Sequence, residues 1–311
     1  MNPEADASPL PPLPQRSADG HKGTFGTVLV VGGCVAGETR MVGAPALAAA
    51  AAISAFRSGA GLVKVFAPAP ILDVVLSIAP SATGLSFAVD AAGLPQLPDV
   101  VESFDKASAR SDACVIGPGL GTLGIAPLVL RAVQQDAAPM VIDADALNVL
   151  ADIPDLWRDF RAASVLTPHP GEFRRLAARF KIAHDPTDAQ HRPHAAASLA
   201  QRMGCIVVLK GARTVVSDGH KTWTSSTSNP ALATAGTGDV LSGLLGGLLA
   251  QHARSPKPDL AIYDIARIAV EAHARAAAAW THTHSATGGM LALELASHLP
   301  AALESLRQPR A

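Results

Sequence analysis

The stretch "NPALATAGTGDVLSGLLGGLLAQ", Asn229 to Gln251, holds a single carboxylate, Asp239, among five glycines. Gly236 and Gly238 free the chain to present bare backbone N–H groups just where an apolar helix begins. Such a helix N-terminus attracts anions, phosphate above all. Gly236, Thr237 and Gly238 therefore read as an anion loop with Asp239 at its lip. The plainer alternative is a first-turn acid that the helix dipole favours. Gly243, Gly246 and Gly247 fall inside the helix, where each costs about 1 kcal/mol relative to alanine. Close approach of another backbone or of a ligand is the usual return for that cost.

Four other stretches carry groups capable of chemistry. "DADALN" offers Asp143, Asp145 and Asn148 after an apolar run. Paired acids there either hold Mg²⁺ through water or cap the next helix. "TPHPGE" fixes His169 between two prolines, with Glu172 three residues on. "VLKGARTVV" reads as a hairpin whose Lys210 either meets phosphate or is solvated. "GPGLG", Gly117 to Gly121, is a structural turn or a ligand loop. Several familiar signatures fail. Gly32 to Thr39 has P-loop glycine spacing, but Glu38 stands where a phosphate-binding lysine belongs. "GPGLG" lacks the spacing of a dinucleotide fingerprint. His282 and His284 have no evident third and fourth zinc ligands. His184, His191 and His194 read as a solvated face.

The elements around these groups alternate. Strand-like runs are 27–31, 62–66, 113–116, 140–142, 164–166, 206–209 and 214–217; helix-like runs are 45–57, 125–134, 171–180, 194–203, 238–252, 260–280 and 289–298. This predicts an α/β fold with a doubly wound, mostly parallel sheet flanked by helices on both faces. Runs such as "TVLVV" and "CIVVL" are apolar throughout, as strands covered on both faces must be. The informative residues cluster at the carboxyl ends of the strands, where such sheets bind ligands. Residues 1–20, rich in Pro, read as a flexible arm, and 21–311 as a single domain. At 49% hydrophobic the chain can build a large core, and a net charge of −1 gives no reason to expect nucleic acid or an anionic membrane. No apolar run resembles a signal peptide or a membrane span. Three scattered cysteines suggest buried free thiols in a reducing cytoplasm.

In order, "HKGTFGTVLVVGG", "GAPALAAAAAISAFRSGAGLVKV", "VIGPGLG", "VIDADALN", "LTPHPGEFRRL", "VVLKGARTVV", "NPALATAGTGDVLSGLLGGLLA" and "SATGGMLALELASHLP" resemble the ADP-dependent (S)-NAD(P)H-hydrate dehydratase family, over about His21 to Pro300. The resemblance implies a ribokinase-like fold. It also implies dehydration of the S epimer of hydrated NADH or NADPH, with ADP (or ATP) as co-substrate, Mg²⁺ as cofactor, and AMP and phosphate as products. Carried onto this chain, Asp239 is the catalytic acid–base residue and also touches the substrate. Lys210, Gly211, Ala212, Arg213, Thr214 and Gly238 would bind the nucleotide. Ala44, Gly119 and His169 would line the substrate site, and Glu172 is a metal candidate through water. A homo-oligomer such as a tetramer is implied, with the partner epimerase on a separate chain. Cys34 and Ala235 depart from the family pattern, where a small polar residue and a glycine are expected.

In this mechanism the substrate hydroxyl, deprotonated by Asp239, attacks the terminal phosphate of ADP. Phosphoryl transfer depends mostly on positioning and charge stabilisation, which suits a glycine loop at a helix start. The competing reading is a small-molecule kinase of the same fold, acting on a hydroxymethylpyrimidine, a thiazole alcohol or a sugar. Several such kinases carry Asn where this chain has His169 in "HPGE". A non-catalytic nucleotide sensor would not need Asp239.

Overall fold

The computed structural model describes residues 3–35, 44–153, 155–156, 160–253 and 258–307. Ten strands make one sheet: β1 (Glu4–Ala5), β2 (Thr27–Val31), β3 (Leu62–Pro68), β4 (Thr83–Phe87), β5 (Ala113–Ile116), β6 (Met140–Ile142), β7 (Ser164–Leu166), β8 (Ile206–Leu209), β9 (Val215–Ser217) and β10 (Lys221–Thr224). Their order is β1-β10-β9-β8-β7-β6-β5-β2-β3-β4. Pairing is parallel throughout except where β9 runs against β8 and β10. Among the described residues the helices are α1 (Ala44–Arg57), α2 (Ala69–Ile78), α3 (Asp99–Ser108), α4 (Ala126–Val133), α5 (Ala144–Asp152), α6 (Pro170–Phe180), α7 (Arg192–Met203), α8 (Thr237–His252), α9 (Ile262–His284) and α10 (Ala292–Arg307).

Side-chain alternation divides the core in two. Val28, Val30, Val65, Val115 and Val141 face one way, into a cluster with α1, α8, α9 and α10. Leu29, Val31, Phe66, Ile116 and Ile142 face the other way, against α4 to α7. Both faces of the central strands are therefore dry, which accounts for their unbroken apolar sequence. Edge strand β4 buries only Phe87 and so carries no such run.

Residues 3–20, where a flexible arm is expected, lie against the sheet edge and the core. Glu4 N donates to His220 O at 2.9 Å and Asp6 N to Thr222 O at 2.8 Å, adding β1 to the exposed edge of β10. Leu13 is 1% exposed within the core, and Leu13 N donates to Leu306 O. Arg16 Nη1 donates to Gly59 O at 2.7 Å, while Tyr263 hydroxyl donates to Asp6. A proline-rich segment cannot easily coil, but it can lie extended along a sheet edge whose backbone groups need partners. The tested P-loop stretch, with Glu38, extends into 36–43, outside the described residues.

Inside α8, Gly243 and Gly247 meet α1, and Gly246 meets the Val115 side chain on β5. A Cβ at Gly243 would lie 2.8 Å from the carbonyl carbon of Ala51 on α1 and nearer still to its oxygen; one at Gly247 would lie 2.8 Å from Ala55 O. Substituting Gly243→Ala should therefore destabilise the protein by about 1–3 kcal/mol through overpacking, despite alanine's better helix propensity. Urea unfolding measures this. A midpoint unchanged or raised in Gly243→Ala would contradict the close approach.

Candidate active site

At the carboxyl edge of the sheet, the turns after β6, β7 and β8 meet the start of α8. Gly236 begins that helix with φ of +87°, a conformation that suits glycine, and no side chain caps it. Of the first-turn N–H groups, that of Thr237 donates to Thr234 O at 3.4 Å. Thr237 hydroxyl donates to Leu232 O and Thr234 O, both at 2.9 Å, and so holds the loop. From α9, His273 Nε2 lies 2.9 Å from Thr237 O. A carbonyl only accepts, so Nε2 carries the proton; burial lowers the His273 pKa to about 4 and keeps the ring neutral.

Asp239 follows at 8% exposure. Burial first, and then the charge of Asp143, push its pKa to about 7, although Lys210 pulls the other way. Lys210 instead pairs with Asp143: Nζ to Oδ1 is 2.7 Å, and Asp143 is 1% exposed. Ser242, one turn along α8 from Asp239, donates to the other Asp143 oxygen at 2.7 Å. A Cβ on Gly238 would come 3.3 Å from Lys210 Nζ, so the glycine leaves the ammonium room. Asp143 is held by its backbone as well. Ala144, the next residue, sits at φ of +49°, a left-handed conformation that costs a non-glycine residue about 1–2 kcal/mol.

The neighbouring turns are tied into the same edge. Asp145 accepts from Gly121 N at 2.8 Å, which links "DADALN" to "GPGLG". Gly119 packs on Ala44, where a Cβ would lie 3.0 Å from Ala44 Cα. His169 and Glu172 form a capping box at the start of α6. His169 Nδ1 accepts from Gly171 N, His169 N donates to Glu172 Oε2 at 2.8 Å, and Nε2 lies 3.3 Å from Oε1. Burial raises the Glu172 pKa to about 7, against the pull of Lys210 3.9 Å away.

Beside the loop is a cavity of about 350 Å³. Lys210, Gly211, Ala212, Thr214 and Gly238 line it from one side, and Val270, His273 and Ala274 from the other. Arg213 does not reach it and borders a second cavity on the opposite side of the same turn. Among the described residues no group of three or more His, Cys, Asp or Glu side chains is arranged to hold a metal ion. His284 Nδ1 lies 2.9 Å from Trp280 O, and its ring stacks on Trp280. Sequence reasoning missed Ser242 and His273. Ser242 had a signal, a lone hydroxyl three residues after Asp239 on an apolar helix. His273 lies in a long helix with no local mark.

A family model described as NAD(P)H-hydrate dehydratase matches residues 28–301. The ADP-dependent (S)-NAD(P)H-hydrate dehydratase of Neisseria meningitidis is 36% identical over 289 residues, 90% of this chain and 86% of that one. The bifunctional NAD(P)H-hydrate repair enzyme of Moorella thermoacetica is 38% identical over 247 residues, 77% of this chain but 43% of its own length. This chain spans about half the length of the bifunctional relatives it matches. Among solved structures, the ADP/ATP-dependent NAD(P)H-hydrate dehydratase of Bacillus subtilis, co-crystallised with ATP/Mg²⁺, superposes with a TM-score of 0.71 at 28% identity, over 95% of both chains.

The raised Asp239 pKa has a consequence for stability. Between its ordinary value of 3.8 and about 7, the folded state binds a proton that the unfolded chain has released. Stability from this group is therefore present at low pH and is lost as pH rises through 7. Asp239→Asn should melt higher than the parent at pH 8, and the gap should shrink toward pH 5. A melting-temperature series tests this; a gap that widens on acidification would contradict it.

Proposed function

The chain belongs to the NAD(P)H-hydrate dehydratase family, and from that premise we propose that it uses ADP to dehydrate the S epimer of hydrated NADH or NADPH. The observation that carries the reading is the buried carboxylate of Asp239, titrating near neutrality, beside an uncapped glycine helix start and a cavity of nucleotide scale.

ADP enters the 350 Å³ cavity, with its base between the Lys210–Thr214 turn and α9. The N–H groups of Gly236 to Gly238 receive the terminal phosphate. The hydrated ring lies on the other side of Asp239, toward His169, Gly119 and Ala44. Asp239 takes the proton from the ring hydroxyl as that oxygen attacks phosphorus. The new O–P bond forms, the bond to AMP breaks, and AMP leaves. The ring nitrogen lone pair then expels phosphate, a proton departs from the adjacent ring carbon, and the dihydropyridine is restored. Water itself is a poor leaving group, and the nucleotide converts it to phosphate. Asp143 and Glu172 are the carboxylates that would hold Mg²⁺, directly or through water, and the ion would neutralise phosphate charge. Glu172 also fixes the His169 ring, since both its oxygens face that residue.

A base must be ionised to act. In wild type, kcat/KM should fall as pH drops through about 7, with ionisation of Asp239. Asp239→Asn should bind ADP but lose turnover by about 10²-fold or more. Near-normal turnover in that variant, measured against ADP binding by calorimetry, would remove the proposed base.

The same geometry would serve a kinase up to the first step. A kinase releases a stable phosphoester, whereas a dehydratase should release phosphate and reduced cofactor one for one with ADP consumed. Both products are measured with the hydrate as substrate, beside hydroxymethylpyrimidine and a thiazole alcohol. A stable phosphorylated alcohol, with no NADH formed from the hydrate, would assign the chain to the kinases instead.

A further inference from the structure

The second cavity, about 530 Å³, lies behind the Lys210–Thr214 turn. Its walls are apolar at Pro170, Ala189, Pro193 and Val215, with the hydroxyls of Thr187 and Thr224 on its rim. The charged residues lining it are Arg192 and Arg213, and no carboxylate joins them. Arg192 is the first residue of α7 and is 8% exposed. Its guanidinium donates to Pro186 O at 2.7 Å, Leu209 O at 2.9 Å, and Lys210 O and Arg213 O at 3.3 Å. These acceptors are neutral carbonyls. Among the described residues no carboxylate acts on the Arg192 charge, which burial alone perturbs, and its Nε has no hydrogen-bond partner. A buried guanidinium is normally paired, because leaving its charge unbalanced is costly. Here the balance is absent on a cavity wall that also carries Arg213 and the start of α7. Apolar walls with two cations and no acid suit an anionic ligand that has a flat apolar part.

We propose that this cavity takes the adenylate half of the dinucleotide substrate. The inference rests on the dehydratase reading. Hydrated NAD(P)H carries two nucleotides, and in that reading the first cavity is filled by ADP. The substrate's second half therefore needs separate room. The two cavities share the Gly211–Ala212 wall, and Pro170, which lines the second, directly follows His169. The turn is fastened there as well, since Lys210 N donates to Pro168 O at 2.9 Å. A dinucleotide with its ring at His169 can continue past Pro170 toward Arg213 without crossing the ADP cavity. Arg213, expected from sequence to hold the nucleotide co-substrate, is here assigned to the substrate.

The test is a split in affinity, read by calorimetry with ADP/Mg²⁺ and, separately, with NADPH as product. Arg213→Glu changes an exposed residue, and Ala189→Trp fills the cavity from its exposed rim. Each should weaken NADPH at least 10-fold and leave ADP within twofold. Circular dichroism checks that both variants fold. Loss of ADP affinity with NADPH unchanged would return Arg213 to the co-substrate and overturn the assignment. Unchanged binding of both ligands would overturn it too. A second equivalent of ADP in wild type, removed by Arg213→Glu, would show that the cavity serves a free mononucleotide and not the substrate. If wild type bound neither ADP nor NADPH, the dehydratase reading itself would fall, a result distinct from any of these.

Discussion

One lysine stands among more carboxylates than it can balance, and the layout of the site depends on that shortage. Lys210 spends its short contact on Asp143, lies 3.9 Å from Glu172, and acts on Asp239 only through its field. Asp143 is buried and Lys210 half-buried, so Asp143 above all needs its partner: a buried charge stripped of its partner typically costs about 3–5 kcal/mol. That need fixes the turn after β6 to the turn after β8. Ser242 then fixes α8 to both through the second Asp143 oxygen. Asp239 is left without a cation of its own. A carboxylate so placed holds its proton up to about pH 7, where it can take and return one with little penalty.

This arrangement needs α8 to come very near the sheet and α1. Glycine at 243 and 247 removes the side chains that would keep α1 away, and Gly246 does the same toward Val115 on β5. The helix thereby gives up propensity along its length. In exchange its first turn reaches the strand ends, where the uncapped N–H groups and Asp239 meet Lys210. The chemistry at residue 239 is thus linked to packing one to two turns downstream. The same stretch of sequence had to satisfy both.

Much of the scaffold was legible in the sequence because the central strands are dry on both faces. Four-residue runs such as "ACVI" can hardly be anything else, and β5, β6, β7 and β8 fall where periodicity puts them. Edge strands escape this logic. β4 and β10 keep part of their surface wet, and β1 is two residues long with both residues exposed. The N-terminal segment is held by a distant edge and by Leu13 entering the core, neither of which leaves a local pattern. In the site, Asp239, Lys210 and His169 announce themselves by unusual neighbours. The choice at Asp143 between magnesium holder and helix cap had no local answer, because its partners Lys210 and Ser242 lie 67 and 99 residues away.

The acid excess also bears on how a nucleotide could enter. An anion approaching Asp143, Glu172 and Asp239 meets one ammonium, a helix start, one paired carboxylate and two carboxyls that titrate near pH 7. Lys210 is already engaged, so its charge is largely spent locally. The helix start supplies only about half an elementary charge. His273 contributes by staying neutral: it gives a hydrogen bond to Thr237 O without adding a fixed charge beneath the phosphate loop. A protonated imidazole there would add a second positive charge near Lys210, and burial keeps it from forming. That histidine is buried among apolar side chains of α8 and α9, so the neutral ring belongs to the same electrostatic design as the unpaired acid.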